Sequence, residues 1–178
     1  MALWFGLANG WDLLAVVLSA AALHELGHLL VLWMRGAEVT GLRISVFGAE
    51  LNASCTRLSY AGELAAVLAG PVVNLCCGLL LALLGQSVPA GAHIVLGMFN
   101  LLPIRPLDGG RALELMVSWA AGPAAGAWAA RWIGACAAMS LATVAIWIMW
   151  RTGGSLWLLP AAAGALGIAV RESEIFVK

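Results

Sequence analysis

Residues 11–33 read WDLLAVVLSAAALHELGHLLVLW, and this stretch decides the fold. Its terminal residues Trp11 and Trp33 stand 22 positions apart, about 33 Å of helix at 1.5 Å per residue, which is close to the hydrocarbon thickness of a bilayer. Tryptophans at both edges are the expected interfacial anchors of a span. Inside it lies His24-Glu25-Leu26-Gly27-His28, the HExxH pattern. Residues four apart share a helix face, so His24 and His28 can hold one metal ion while Glu25 lies beside the metal-bound water. Such a pattern on a soluble surface helix can be polar decoration. Within a span it is not, because ionisable groups at depth are costly in lipid and face a protein interior or a water-filled cavity. By helical rise His28 lies about 8 Å and His24 about 14 Å below Trp33, so the metal site is expected toward the C-terminal end of this span.

Composition agrees with a membrane class. Hydrophobic residues make up 63% of the chain and charged residues 10%, and the apolar segments recur along its length. The expectation is a polytopic protein whose partner is the lipid bilayer. Net charge is zero and no basic run occurs, so no nucleic-acid partner is expected. The first apolar stretch has no positive flank before it and contains the HExxH, so it is expected to be a retained span and not a cleaved signal peptide. Of the four cysteines, Cys76, Cys77 and Cys136 fall in apolar helical sequence and Cys55 in a polar loop. Their spacing is that of neither a zinc ribbon nor a disulfide framework, and they are read as small packing residues.

From Glu38 to Arg57 the pattern turns polar and β-branched. Period-two alternation from Val39 to Val46, with Gly48 following, is consistent with a short hairpin or with a plain connecting loop. If it is a hairpin, the edge from Leu42 to Phe47 can accept an extended peptide by main-chain bonding. The second span runs from about Tyr60 to Gly85, with Gly70-Pro71 permitting close packing and a bend. Asn74, one turn later, either faces the cavity or makes an interhelical hydrogen bond.

A third hydrophobic unit begins near Pro89 and is broken at Asn100-Leu-Leu-Pro-Ile-Arg-Pro-Leu-Asp-Gly-Gly110. Prolines 103 and 106 with glycines 109 and 110 cannot continue a regular helix, and irregular backbone at membrane depth is tolerated where it is buried in protein or lines a cavity. The chain is expected to pass here in extended form and to restart as a helix at Asp108. That carboxylate is either an N-cap or, beside a two-histidine site, the third metal ligand. Arg105 and Arg111 are read as snorkelling or as a structural pair with Glu114, and His93 as an interfacial residue on the side opposite the metal.

Two further spans are expected, about Ala124–Trp150 and Ser155–Val170, the Ala-rich run from Ala120 to Ala138 being helix-packing composition. Arg35, Arg43, Arg57, Arg131, Arg171 and Lys178 then fall on one side and Arg151 on the other. With five spans the positive-inside rule puts the N-terminus outside and the hairpin, C-terminus and metal toward the cytoplasm.

The ordered set His24-Glu25-Leu26-Gly27-His28, Gly70-Pro71 with Asn74, and Asn100 through Pro103 to Leu107-Asp108-Gly109 resembles the signatures of the site-2 protease family of intramembrane zinc metalloproteases. Residues 11 to 121 carry the resemblance. It implies an all-α polytopic membrane protein with a three-helix metalloprotease core at residues 1–121 and further transmembrane helices with a short tail at 122–178. It also implies His24, His28 and Asp108 as ligands of Zn2+ and Glu25 as the catalytic base. Asn100 and Asn74 would hold substrate or stabilise the oxyanion. Lacking a PDZ-like insertion between its motifs, the chain is most similar to the short bacterial branch that includes the stage IV sporulation protease. No nucleotide-sensing domain of the kind some sporulation members carry is read after the last span.

The leading expectation is therefore a zinc-dependent endopeptidase of a bacterial plasma membrane, cutting a transmembrane or membrane-associated protein, a sigma-factor precursor being one such substrate, under a membrane inhibitor or regulator. Two other classes are weighed against it. A non-catalytic adaptor would have no need of the intact set Glu25, His24, His28 and Asp108. A metal transporter would distribute ionisable residues along a path over several spans, whereas here they converge.

Overall fold

The computed structural model describes residues 10–36, 38–45, 48–54, 58–152, 164 and 167. The expected last span, apart from Gly164 and Gly167, and the tail with Arg171 and Lys178 lie outside the described residues, as do Val46, Phe47, Cys55 and Arg57. The chain divides into two compact units, Met1–Leu101 and Leu102–Lys178.

The first unit holds helix α1 (Trp11–Met34), strands β1 (Glu38–Ser45) and β2 (Gly48–Ser54), helix α2 (Tyr60–Leu83) and helix α3 (Ser87–Asn100). The strands pair antiparallel, with Leu42 opposite Leu51, Ile44 opposite Ala49, and a register shift between Val39 and Gly41. All three helices pack on one another. Apart from Leu32 on α1, their buried faces are mostly small or polar: Ala20, His24 and Gly27 on α1, Ala66, Gly70, Pro71, Asn74 and Gly78 on α2, and Ala90, His93 and Gly97 on α3. Large apolar side chains point outward instead, Leu23, Leu26 and Leu30 on α1, Leu79 and Leu83 on α2, Val95 and Met98 on α3. In water this distribution would be inside out. In lipid it is the expected one, because the tails solvate leucine as well as a core does and helix association relies on close contact between small residues.

Close approach is visible at single glycines. A Cβ on Gly27 would lie 2.9 Å from the Ala69 carbonyl oxygen, and one on Gly97 would lie 3.2 Å from both the Asn74 Cβ and the Pro71 carbonyl oxygen. Helix α2 starts where Ser59 accepts a hydrogen bond from the Gly62 N–H at 3.2 Å, a side-chain N-cap. It then runs through Pro71 as one element.

The second unit opens on Leu102–Leu107. These residues do not run extended as the proline spacing predicts. They fold into successive turns in which the Ile104 N–H donates to the Leu102 carbonyl at 2.7 Å and the Leu107 N–H to the Ile104 carbonyl at 2.8 Å. The reason is packing: Ile104 is buried against Ala138, with Leu102, Leu107 and Ala137 around it. Helix α4 (Asp108–Ala121) does restart at Asp108, which is its first residue and not its cap, Leu107 holding the cap position. A carboxylate in the first turn complements the helix dipole. Gly122, at φ 92°, turns the chain into helix α5 (Pro123–Arg151). Along α5 the residues Gly126, Ala130, Gly134, Ala138 and Ala142 recur every fourth position and are buried. A Cβ on Gly126 would run into the Ser118 hydroxyl of α4. Arg105 pairs with Glu114 at 2.7 Å and Arg111 approaches the same carboxylate at 3.6 Å, so the pairing read from the sequence is present.

Among the described residues α1, α2 and α5, of 24, 24 and 29 residues, are long and apolar enough to cross a membrane. Helices α3 and α4 have 14 residues each, about 21 Å, and neither reaches across about 30 Å of hydrocarbon. The third hydrophobic unit is thus two half-length helices separated by turns.

The glycine contacts give a paired test in detergent. Gly27→Ala sets a methyl against backbone that cannot yield, and is expected to lower unfolding stability by about 1–3 kcal/mol. Gly91, around which nothing lies within 4 Å of an added Cβ, should accept alanine with no loss and with a gain of up to about 1 kcal/mol from helix propensity. Thermal unfolding monitored by circular dichroism separates the two.

Candidate metal centre

Helix periodicity places His24 and His28 one turn apart on the face of α1 that meets α2, and Gly70 of α2 gives them room. His24 is 5% exposed. The two rings stand nearly perpendicular, at 82° with centroids 4.8 Å apart, and their Nε2 atoms are 3.1 Å from each other. Behind that pair a Cβ on Gly70 would collide with His28 Nε2 and lie 2.8 Å from His24 Nε2, so the absence of a side chain at 70 keeps the space in front of both nitrogens open.

Each ring is held by its other nitrogen. His28 Nδ1 lies 2.8 Å from the Ala66 carbonyl oxygen. A carbonyl only accepts, so this nitrogen carries the proton and leaves the Nε2 lone pair directed at the shared space. His24 Nδ1 lies 3.2 Å from the side-chain amide of Asn74, whose other end is 3.1 Å from His93 Nδ1. A ligating histidine is ordinarily held by donating its other N–H, as His28 does to the Ala66 carbonyl; His24 receives the same support when the Asn74 amide presents its oxygen to Nδ1. The donor set fits Zn2+: two nitrogens each about 2.0–2.1 Å from a common zinc stand a little over 3 Å apart, as these do. Glu25, next along α1 and half-buried, is rotated about 100° from His24, which suits a proton-transfer group better than a ligand.

The other sequence candidates distribute as follows. Asn74 is fully buried with both ends of its amide directed at imidazoles, which is the interhelical use of the two left open for it. Asn100, the last residue of α3, is half-buried and donates from Nδ2 to the Leu96 carbonyl of its own helix at 3.1 Å. Asp108 opens α4 in the second unit.

His93 is a correction. The sequence reading puts it at an interface away from the metal, yet it is 3% exposed and bonded to the residue that holds His24. Hairpin geometry explains why. His93 lies eight residues after Gly85 and Asn74 eleven before it, so across the antiparallel turn they differ in depth by only about 4.5 Å. That count was the available signal, and treating the third unit as a full span beginning at the far surface hid it.

No protein-family model matches the sequence. It is similar to a zinc metalloprotease of Methanocaldococcus jannaschii, 30% identical over 121 residues that make up 61% of this chain and 35% of that protein. A Synechocystis protein, whose provisional name is likewise zinc metalloprotease, is 31% identical over 114 residues, 57% of this chain and 30% of its own length. The chain thus spans about a third of the length of the curated relatives it matches. Among solved structures, the Site-2 Protease from Methanocaldococcus jannaschii superposes with a TM-score of 0.69 at 24% identity, over 97% of this chain and 84% of that one. The resemblance drawn from the motifs is borne out: the chain has the Site-2 protease fold, is a membrane protein, and is similar in sequence to zinc metalloproteases.

Gly70→Ala tests the geometry of the histidine pair. The methyl enters the space between the two Nε2 atoms, so bound zinc in the purified variant, measured by mass spectrometry, is expected to fall to a small fraction of the wild-type content while helicity is kept.

Proposed function

We propose that residues 1–121 are the catalytic core of an intramembrane zinc metalloendopeptidase, in which His24, His28 and Asp108 hold Zn2+ and Glu25 is the general base. The observation that carries the reading is the convergence of two supported imidazoles at 3.1 Å on a buried face of a span-length helix, with a carboxylate adjacent in sequence. Asp108 supplies the oxygen donor that would complete a two-histidine, one-carboxylate set. Zinc held there would supply Lewis acidity and make water easier to deprotonate.

The remaining chemistry belongs to the chain. Glu25 accepts the proton of the attacking water and returns it to the departing amine nitrogen. Asn100 commits one N–H of its amide to Leu96, and an amide nitrogen carries two, so a second remains to meet the negative charge that develops on the substrate carbonyl.

The substrate class is a membrane-embedded or membrane-tethered protein, and a sigma-factor precursor is the candidate that the short-branch resemblance brings. Peptide carbonyls in a transmembrane helix are already hydrogen-bonded, so cleavage requires local unwinding. An edge of the β1–β2 pair, which pairs with no third strand among the described residues, is suited to receive the unwound strand by main-chain bonding. The chain acts as a multi-pass protein of a bacterial plasma membrane, under a membrane regulator that gates access.

Glu25→Gln separates ligation from catalysis. The variant is expected to hold as much zinc as wild type and to cut none of a panel of single-span substrates that wild type cuts. Zinc loss in this variant would show that Glu25 is itself a ligand. Asn100→Ala is expected to reduce turnover on the order of 10²-fold, as for other oxyanion donors, with zinc unchanged; an unaltered rate would remove Asn100 from the site.

A further inference from the structure

The polar chain His28, His24, Asn74, His93 crosses all three helices of the first unit, yet the proposed chemistry uses only its first two members. Its hydrogen-bond logic is restrictive. His28 is fixed by the Ala66 carbonyl with its proton on Nδ1. The remaining three groups can then be ordered in two ways. In one order His93 Nδ1–H donates to Asn74 Oδ1, the Asn74 amide N–H donates to His24 Nδ1, and His24 Nε2–H donates to His28 Nε2, over distances of 3.1, 3.2 and 3.1 Å. Every contact is satisfied, but His24 Nε2 then carries a proton and has no lone pair for a metal.

In the other order the Asn74 amide is turned over. Its oxygen accepts from His24 Nδ1–H, both Nε2 atoms present lone pairs to the shared space, and its N–H donates to His93 Nδ1. That last step requires His93 to carry its proton on Nε2. An amide offers a donor at one end and an acceptor at the other, so whatever Asn74 gives His24 it denies His93. The two rings shift in concert, each losing one N–H and gaining one, and neither changes charge.

We infer that His93 is a positioning residue for the metal centre: through Asn74, its tautomer decides whether His24 can ligate. His93 and Asn74 are 3% and 0% exposed, so solvent does not readily substitute for either partner, and a mismatched order leaves buried polar atoms unpaired. The inference rests on the metal-centre reading above, and its test distinguishes the two.

The chain contains three histidines, all of which lie in this network. Nitrogen-15 NMR of the full chain labelled at histidine, with and without Zn2+, therefore reads every ring. With zinc, His24 and His28 are expected to show Nδ1–H with Nε2 metal-bound, and His93 to show Nε2–H with an unprotonated, accepting Nδ1. In Asn74→Asp, whose carboxylate accepts at both ends, zinc is expected to bind while His93 reverts to Nδ1–H. Zinc-linked shifts at His24 and His28 with His93 still Nδ1–H in wild type overturn this inference alone. Absence of any zinc-linked shift at His24 and His28 overturns the metal centre and the inference with it. Competition with a chelator gives a second reading: His93→Phe should weaken zinc binding roughly 10- to 100-fold, and His93→Gln, whose amide can accept from Asn74, should recover most of that loss. Wild-type affinity in His93→Phe, or no recovery in His93→Gln, also overturns it.

Discussion

A polar group placed in an apolar bundle must find a partner there, and this constraint organises the first unit around two imidazole rings. His24 and His28 cannot face one another at 3.1 Å in lipid-like surroundings unless their outer nitrogens are also engaged. The Ala66 carbonyl engages one and Asn74 the other, and Asn74 in turn needs His93. Helix α2 supplies both immediate partners, and α3 the last. The site and the helix contacts are therefore a single requirement.

Meeting that requirement takes short distances between helix axes, which is why glycine and alanine occupy the interfaces. Gly27 passes the Ala69 carbonyl, Gly70 passes the two rings and Gly97 passes Asn74, each at a separation that a methyl group would violate or strain. Where a soluble protein places leucine, this chain places the smallest residues, and the displaced leucines face outward. The second unit follows the same rule along the four-residue ladder of α5 and around the turns that Ile104 anchors.

Much of this was legible in the sequence because its signals are local. Span length between Trp11 and Trp33, the four-residue spacing of His24 and His28, and the helix start at Asp108 depend on neighbours within a turn or two. The turns at Leu102–Leu107 were not legible, because proline content excludes helix without choosing between extended and turned backbone; the burial of Ile104 makes that choice. His93 was missed for a related reason. Its role depends on how deep α3 enters beside α2, which the connection at Leu84–Gln86 fixes and the hydropathy of an assumed full span conceals.

Two supported histidines in a membrane helix form the proposed zinc centre. X-ray absorption at the zinc edge of the purified full chain tests it most directly. Zinc with imidazole nitrogens at about 2.0–2.1 Å is expected, the remaining donors being oxygen, with loss of the imidazole signature in His28→Ala. Zinc bound through sulfur, or a chain that retains no zinc after purification in its presence, contradicts it.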